Sequence, residues 1–304
     1  MTREEKNEEK QKEIFREEKK EKTKKTIKIT IKIIIALILF SLIFYSYTTY
    51  ISTIKIKVRE YRVINHKIPE NFNGLKIIQF SDLHFGSTMN NENIEEIVQL
   101  SNERKPDIIV FTGDFLNKTY KMSSKEQELL INNLKNMTAT LGKYAILGDE
   151  DTEKVSTIFN QSEFTILRNE YDLIYQNSNN PILLVGLNSS KNEQNIENAF
   201  SYYKEENHNA NIFTITLLHE PDSIDEIIPY YNVDLALAGH SHNGNIRIPI
   251  INRSFSKIDG AKKYDQDYYK INNTELYISS GLGTKNGIRL FCRPSINFFR
   301  ISNS

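Results

Sequence analysis

The sequence predicts an α/β domain of two sheets packed face to face with helices outside, preceded by one membrane-spanning helix. Three observations lead there. Residues 33–54 carry no charge over 22 positions and are rich in Ile, Leu, Phe and Tyr. Strand-like and helix-like periodicities alternate between residues 75 and 147, which is the pattern of parallel crossover units. Finally, five apolar runs (77–84, 108–114, 144–151, 215–219 and 235–242) each stop at Asp or His, and they hold four of the six histidines.

The elements follow in chain order. Residues 1–32 carry twelve Lys/Arg and eight Glu with almost nothing apolar before Ile27. Such a segment buries too little surface to offset chain entropy, so it reads as a disordered or loosely helical charged tail. At a rise of about 1.5 Å per residue, the uncharged stretch 33–54 crosses a hydrocarbon core of about 30 Å. A cleaved signal peptide has a shorter apolar stretch and a small-residue cleavage site. Here the exit reads Tyr47-Thr48-Thr49-Tyr50-Ile51-Ser52-Thr53, so an uncleaved signal anchor is expected. Seven lysines between Lys19 and Lys32 outnumber the five basic residues between Lys55 and Lys67. The positive-inside bias then places the tail in the cytoplasm and the domain from 55 to 304 outside it.

Alternation over 55–68 predicts a strand or extended stalk. Strand 75–80 leads to a helix at 92–104, with Ile94, Ile97, Val98 and Leu100 on one face, and then to strand 108–112. A second helix is expected at 124–136, closed by Gly142, followed by strand 144–147. Short strands are expected at 164–167, 172–175 and 182–187, a helix at 193–204, strand 212–218, a short helix at 222–228 and strand 233–238. The last third, with strands at 246–250, 275–279 and 296–301, alternates more like antiparallel sheet.

Composition excludes several functions. Lys and Arg number 39 against 39 Asp and Glu, so zero net charge offers no nucleic-acid partner. The single Cys292 excludes an intrachain disulfide framework and reads as a buried structural thiol.

The strand ends carry the chemistry. Asp82 and His84 close the first run, Asp114 follows Gly113, Asp149 follows Gly148, and His219, His240 and His242 close the last two. Taken singly, Asp-Leu-His and Gly-Asp are common, and a lone His219 is more often a core histidine. Together, each capping an apolar strand, they describe one site at one sheet edge. Asp and His donors without thiolate suit Zn, Mn or Fe rather than Ca or a structural Cys-type zinc site. They are too many for one tetrahedral ion, so two divalent ions sharing a carboxylate are expected. Such a pair suits in-line phosphoryl displacement.

With these motifs the chain resembles the calcineurin-like metallophosphoesterases, in particular their small membrane-tethered bacterial branch. The segments 276–284 and 289–294 are also similar to that branch. The resemblance covers about residues 56–301 and implies a four-layer α/β/β/α sandwich of two mixed sheets. It assigns Asp82, His84 and His242 to one ion, Asp114 to a bridge, and Asp149, His219 and His240 to the second. Water activated between the ions would attack phosphorus in line. The substrate class it implies is a phosphomonoester, phosphodiester or pyrophosphate, small or lipid-linked.

One tetrapeptide departs from the family pattern. Where the family has Gly-Asn-His-Asp/Glu, this chain has Gly148-Asp149-Glu150-Asp151. Asp149 can still ligate, with an added negative charge. Glu150 stands where the family has an imidazole facing the phosphate, and is the candidate catalytic acid. A carboxylate there repels an anionic substrate unless it is protonated, which leaves a metal-binding sensor with weakened catalysis as the alternative reading. A second departure, Asn243-Gly244-Asn245 for the frequent Gly-Gly-Gln, touches a loop.

Overall fold

Strands that are apolar on both faces need a layer on each side, and the middle strands of this domain are of that kind. A computed structural model describes residues 3–48, 55–191, 194–205, 209, 211–244, 258–285, 287 and 289–304. One six-stranded sheet contains β1 (Lys57–Ile64), β2 (Leu75–Phe80), β3 (Ile108–Thr112), β4 (Gly142–Ile146), β5 (Thr165–Ile166) and β12 (Ser295–Ser302), in the order β1-β12-β2-β3-β4-β5. The second contains β6 (Glu170–Ile174), β7 (Ile182–Gly186), β8 (Thr214–Leu217), β9 (Leu235–Ala238), β10 (Tyr268–Ile271) and β11 (Thr274–Ile278), in the order β10-β11-β9-β8-β7-β6.

Side-chain alternation divides these strands among three cores. Ile77, Ile108 and Val110 face inward against Leu217, Leu235 and Leu237 of the other sheet. Their neighbours Ile78, Phe80, Ile109 and Phe111 face outward, under α2 (Asn91–Asn102), α3 (Ser124–Lys135) and α4 (Glu153–Gln161). In the second sheet Leu183, Val185, Ala236 and Ala238 face out to the short helices α5 (Ile196–Ala199) and α6 (Ile224–Ile227). The result is the expected four-layer α/β/β/α sandwich. Two of its helices begin with reciprocal capping boxes, Asn90 with Asn93 and Ser123 with Glu126, each worth about 1 kcal/mol.

Several local expectations need correction. The last strands are not simply antiparallel: β12 runs antiparallel to β2 but parallel to β1, and β11 runs parallel to β9. Alternation reports which faces are buried, and either strand direction satisfies that. Gly142 opens β4 rather than closing α3, whose C-cap is Asn136. The helix α4 was not foreseen, although Val155, Ile158 and Phe159 form its buried stripe. The expected helix 193–204 is a single turn of α-helix followed by a 3-10 turn, Ser201–Lys204. The strand expected at 246–250 lies outside the described residues.

The chain divides into two units, Met1–Thr48 and Thr49–Ser304. In the first, α1 (Arg3–Ser46) is one helix of 44 residues, so the charged tail is helical rather than disordered and continuous with the apolar stretch. It is long and apolar enough to cross a membrane.

Candidate metal centre

The strand ends of both sheets meet at one rim, where buried polar groups tie them together. Gln79 donates to Thr112 Oγ1 at 3.1 Å within its own sheet and to the Ala238 carbonyl of the other at 2.9 Å. One step beyond, the His240 backbone N–H donates to both carboxylate oxygens of Asp82, at 3.0 and 3.1 Å. The Asp82 N–H in turn donates to the Gly113 carbonyl at 2.9 Å. These contacts fix the ends of β2, β3 and β9 relative to one another.

The backbone at this rim is contorted. Asp82, His84, Asp114, His240 and His242 all have positive φ, between 43° and 64°. Each such non-glycine residue costs on the order of 1–3 kcal/mol, and such strain concentrates at functional sites. The turns bring the side chains of both sheets to one place. The neighbouring glycines leave no room for a side chain: a Cβ on Gly113 would sit 2.4 Å from His219 Nδ1, and one on Gly148 2.3 Å from Asp114 Oδ1.

All eight candidate residues fall in this cluster, in two groups joined by a third that shares one residue with each. Asp82, His84 and His242 form one group, and Asp114, Asp149, His219 and His240 the other. Asp114 reaches both: its Oδ1 lies 3.5 Å from His219 Nε2, and its Oδ2 3.9 Å from His84 Nε2. Glu150 sits with His84 and Asp114 at the half-exposed edge, its Oε2 3.4 Å from His84 Nδ1.

Tautomers identify which nitrogens are available. His219 Nδ1 donates to the Thr112 carbonyl at 2.8 Å, and His240 Nε2 donates to the Asp259 carbonyl at 2.8 Å. A carbonyl cannot donate, so the lone pairs sit on His219 Nε2 and His240 Nδ1, which face each other at 3.1 Å. Asp149 Oδ1, buried without a hydrogen-bond partner, lies 3.4 and 3.5 Å from those nitrogens. Two lone pairs and a carboxylate oxygen so close call for a positive charge between them, a proton or a metal ion. Donors about 2.1 Å from a shared ion stand about 3.0–3.4 Å apart, so the residues fit a divalent metal. His84 Nε2 and His242 Nε2 repeat the arrangement at 3.1 Å, with Asp82 Oδ1 3.5 Å from the latter.

The titration of the cluster reflects the same crowding. Burial pushes the Asp82 carboxyl up. Burial also opposes ionisation of Asp114 and Asp149, but a proton taken up between the neighbouring imidazoles, on His219 above all, outweighs it and holds both well below the carboxylate range.

Residues 75–244 match the family described as calcineurin-like phosphoesterase. The chain belongs to this family. It is a metal-dependent phosphoester hydrolase. Among its relatives are an uncharacterised metallophosphoesterase, YkuE, of Bacillus subtilis (29% identical, covering 86% of this chain and 90% of that one) and phosphodiesterase YaeI of Escherichia coli (26%; 79% and 88%). A third is UDP-2,3-diacylglucosamine pyrophosphatase LpxG of Chlamydia muridarum (26%; 78% and 87%).

Each of the two carboxylates that depart from the family tetrapeptide, Asp149 and Glu150, is paired with a lysine. Lys191 Nζ lies 3.0 Å from Asp149 Oδ2, which leaves Oδ1 facing the imidazoles. Lys285 Nζ lies 2.7 Å from Glu150 Oε1 and 3.9 Å from Asp114 Oδ2. Contact with His84 and with Lys285 holds the Glu150 carboxyl below its ordinary range. Asp82, Asp114, Asp149 and Glu150 less two ammonium groups leave a formal charge of −2. The negative charge that Asp149 and Glu150 bring is thus partly offset locally by Lys191 and Lys285.

Three further residues escaped the sequence reading. Asp151 accepts from the backbone N–H groups of Asp114 and Phe115 at 2.8 Å and of Gly148 at 2.9 Å, locking the turn after β3 to the turn after β4. Burial raises its pKa to about 6. Arg289 is fully buried and donates to the carbonyls of Ser280, Gly281 and Gly283 at 2.7, 3.1 and 2.6 Å, clamping the loop beside Asp82 and His242. Glu220, also buried, accepts from the Ser189 hydroxyl and from the Ser190 N–H, which anchors the segment carrying Lys191. Asp151 and Arg289 stand inside motifs that resemble the family, a usable signal. No local pattern marks the lysines or Glu220. Cys292 is buried, with its Sγ donating to the His242 carbonyl at 3.2 Å, and so belongs to the support of the site.

Proposed function

We propose that the chain is a membrane-anchored phosphohydrolase whose cradle holds two divalent ions, Mn, Zn or Fe, and cleaves a phosphodiester or pyrophosphate, lipid-linked substrates included. The observation that carries the reading is Asp114, whose two oxygens face two separate groups of donors. Asp82, His84 and His242 would hold one ion, and Asp149, His219 and His240 the other, with Asp114 shared. Bound there, the ions would supply Lewis acidity and a water of lowered pKa.

The chain's own residues do the rest. Carbonyls of Thr112 and Asp259 hold two imidazoles in the ligating tautomer, and Asp151 fixes the backbone that aims Asp114. The ground for a weakened sensor is repulsion between the Glu150 carboxylate and an anionic substrate; the Lys285 ammonium 2.7 Å from that carboxylate counters the repulsion and favours the hydrolase. The phosphodiesterase and diacylglucosamine pyrophosphatase among the relatives support the substrate class. The apolar helix at the N-terminus supports an anchor (33–54) between a charged tail (1–32) and a catalytic domain (55–304), and the excess of lysines before the anchor supports an outer face for the domain.

Metal analysis of full-length protein purified in detergent without chelator tests the cradle, with about two ions per chain expected. A chromogenic phosphodiester assayed with Mn, Zn and Fe, beside sugar-nucleotide and lipid-phosphate substrates, tests the chemistry, with Asp114→Ala as control. Turnover equal in wild type and Asp114→Ala sinks the proposal.

A further inference from the structure

We propose that Lys285 is the substrate-binding cation of this site, taking the place on the phosphate that the family gives to an imidazole, with Glu150 as its positioning residue. The inference rests on the phosphohydrolase reading and deepens it.

The geometry is specific. Position 150 stands where the family histidine faces the phosphate, and its carboxylate reaches away from solvent on one side to His84 and on the other to Lys285, at 3.4 and 2.7 Å. The Lys285 ammonium also lies 3.9 Å from Asp114 Oδ2, the carboxylate shared by both donor groups. A cation is thus held at the open edge of the cradle, where a phosphate bound across it would present its outer oxygens. The Lys285 side chain is 42% exposed, so a ligand can reach it, whereas His84 behind it is wholly buried.

The root of this side chain is fixed. Before it, the Thr284 N–H donates to Thr88 Oγ1 at 2.9 Å and the Thr284 carbonyl accepts from Ser87 Oγ at 2.8 Å. After it, the Gly287 N–H donates to Thr284 Oγ1 at 2.6 Å. Beneath, Arg289 clamps the Ser280, Gly281 and Gly283 carbonyls. Gly281, at φ +68°, leaves room for Asp82 and His242 where a Cβ would lie 2.9 Å from each. One loop therefore packs on the donors and delivers the ammonium over them. A lysine on such a base serves as a preorganised point charge for phosphate oxygens.

A simpler role has to be separated from this one: Lys285 as mere counter-ion to Glu150. Calorimetric binding of inorganic phosphate to manganese-loaded, full-length protein in detergent makes the distinction, with bound metal measured in every sample. Lys285→Ala is expected to weaken phosphate by about ten- to a hundredfold at unchanged metal content, and Lys285→Arg to retain most of the affinity. In the double variant Glu150→Gln/Lys285→Ala, which removes both charges, the affinity stays low if the ammonium contacts phosphate. Recovery to wild-type affinity in the double variant overturns the proposal, as does Lys285→Ala binding phosphate like wild type. Wild-type protein that takes up no divalent ion overturns the phosphohydrolase reading itself, a different result from either.

Discussion

Gly239→Ala tests whether the close approach of the two sheets builds the site. Gly239 links β9 to His240, and a Cβ there would lie 2.0 Å from Ser81 Oγ, 2.8 Å from Asp82 Oδ2 and 2.9 Å from the Thr112 carbonyl. Ordinary carbon–oxygen contact is about 3.3–3.6 Å, so the hydroxyl must move by about 1.3 Å and the other two by about 0.5 Å. Ser81 can rotate, but it then gives up its 3.0 Å bond to the Thr112 carbonyl, worth about 1 kcal/mol. The remaining overlap falls on the Thr112 carbonyl, which also holds His219, and on Asp82 itself. Overpacking of that kind costs about 1–3 kcal/mol. The total, about 2–4 kcal/mol, lowers Tm by about 4–16 °C for a domain of this size. Metal–ligand distances tolerate only about 0.2 Å, so metal affinity should fall by about tenfold or more. Thermal unfolding of metal-free protein reads the first effect and metal titration the second. Adding Ser81→Ala should restore part of the stability and none of the affinity. Gly239→Ala with Tm within about 1 °C of wild type and undiminished metal affinity would refute the packing argument.

Three other outcomes follow from the same geometry. Chelation should destabilise the protein: at a metal concentration of about a hundred times Kd, binding contributes about 2.7 kcal/mol, or about 5–11 °C in a melt, and Asp149→Ala should remove most of that difference. Arg289→Met leaves the carbonyls of Ser280, Gly281 and Gly283 without their donor, so denaturant unfolding should show a loss of at least about 2 kcal/mol. Glu150→His should not raise turnover on an aryl phosphodiester, because it removes the partner that holds Lys285; a faster enzyme would mark the native carboxylate as a defect.

Much of this molecule is written locally. A run such as 108–111, apolar at every position, short and largely β-branched, reads as a strand covered on both faces, and β3 is buried throughout, Thr112 included. Polar residues at the ends of such runs must emerge at a sheet edge, which is why Asp82, Asp114, Asp149, His219, His240 and His242 were legible as one group. Strand direction was legible for the crossover unit, where β2 and β3 pair in parallel, but not for the last strands, since β12 satisfies one neighbour in parallel and the other in antiparallel register.

What only the folded chain decided is the electrostatic company each ligand keeps. Lys191 reaches Asp149 and Lys285 reaches Glu150 from loops remote in sequence, and neither lysine stands in a pattern that foretells it. Periodicity and strand-end residues are properties of neighbours along the chain. Charge compensation between a carboxylate and an ammonium depends on distance in space, which the packing of two sheets sets.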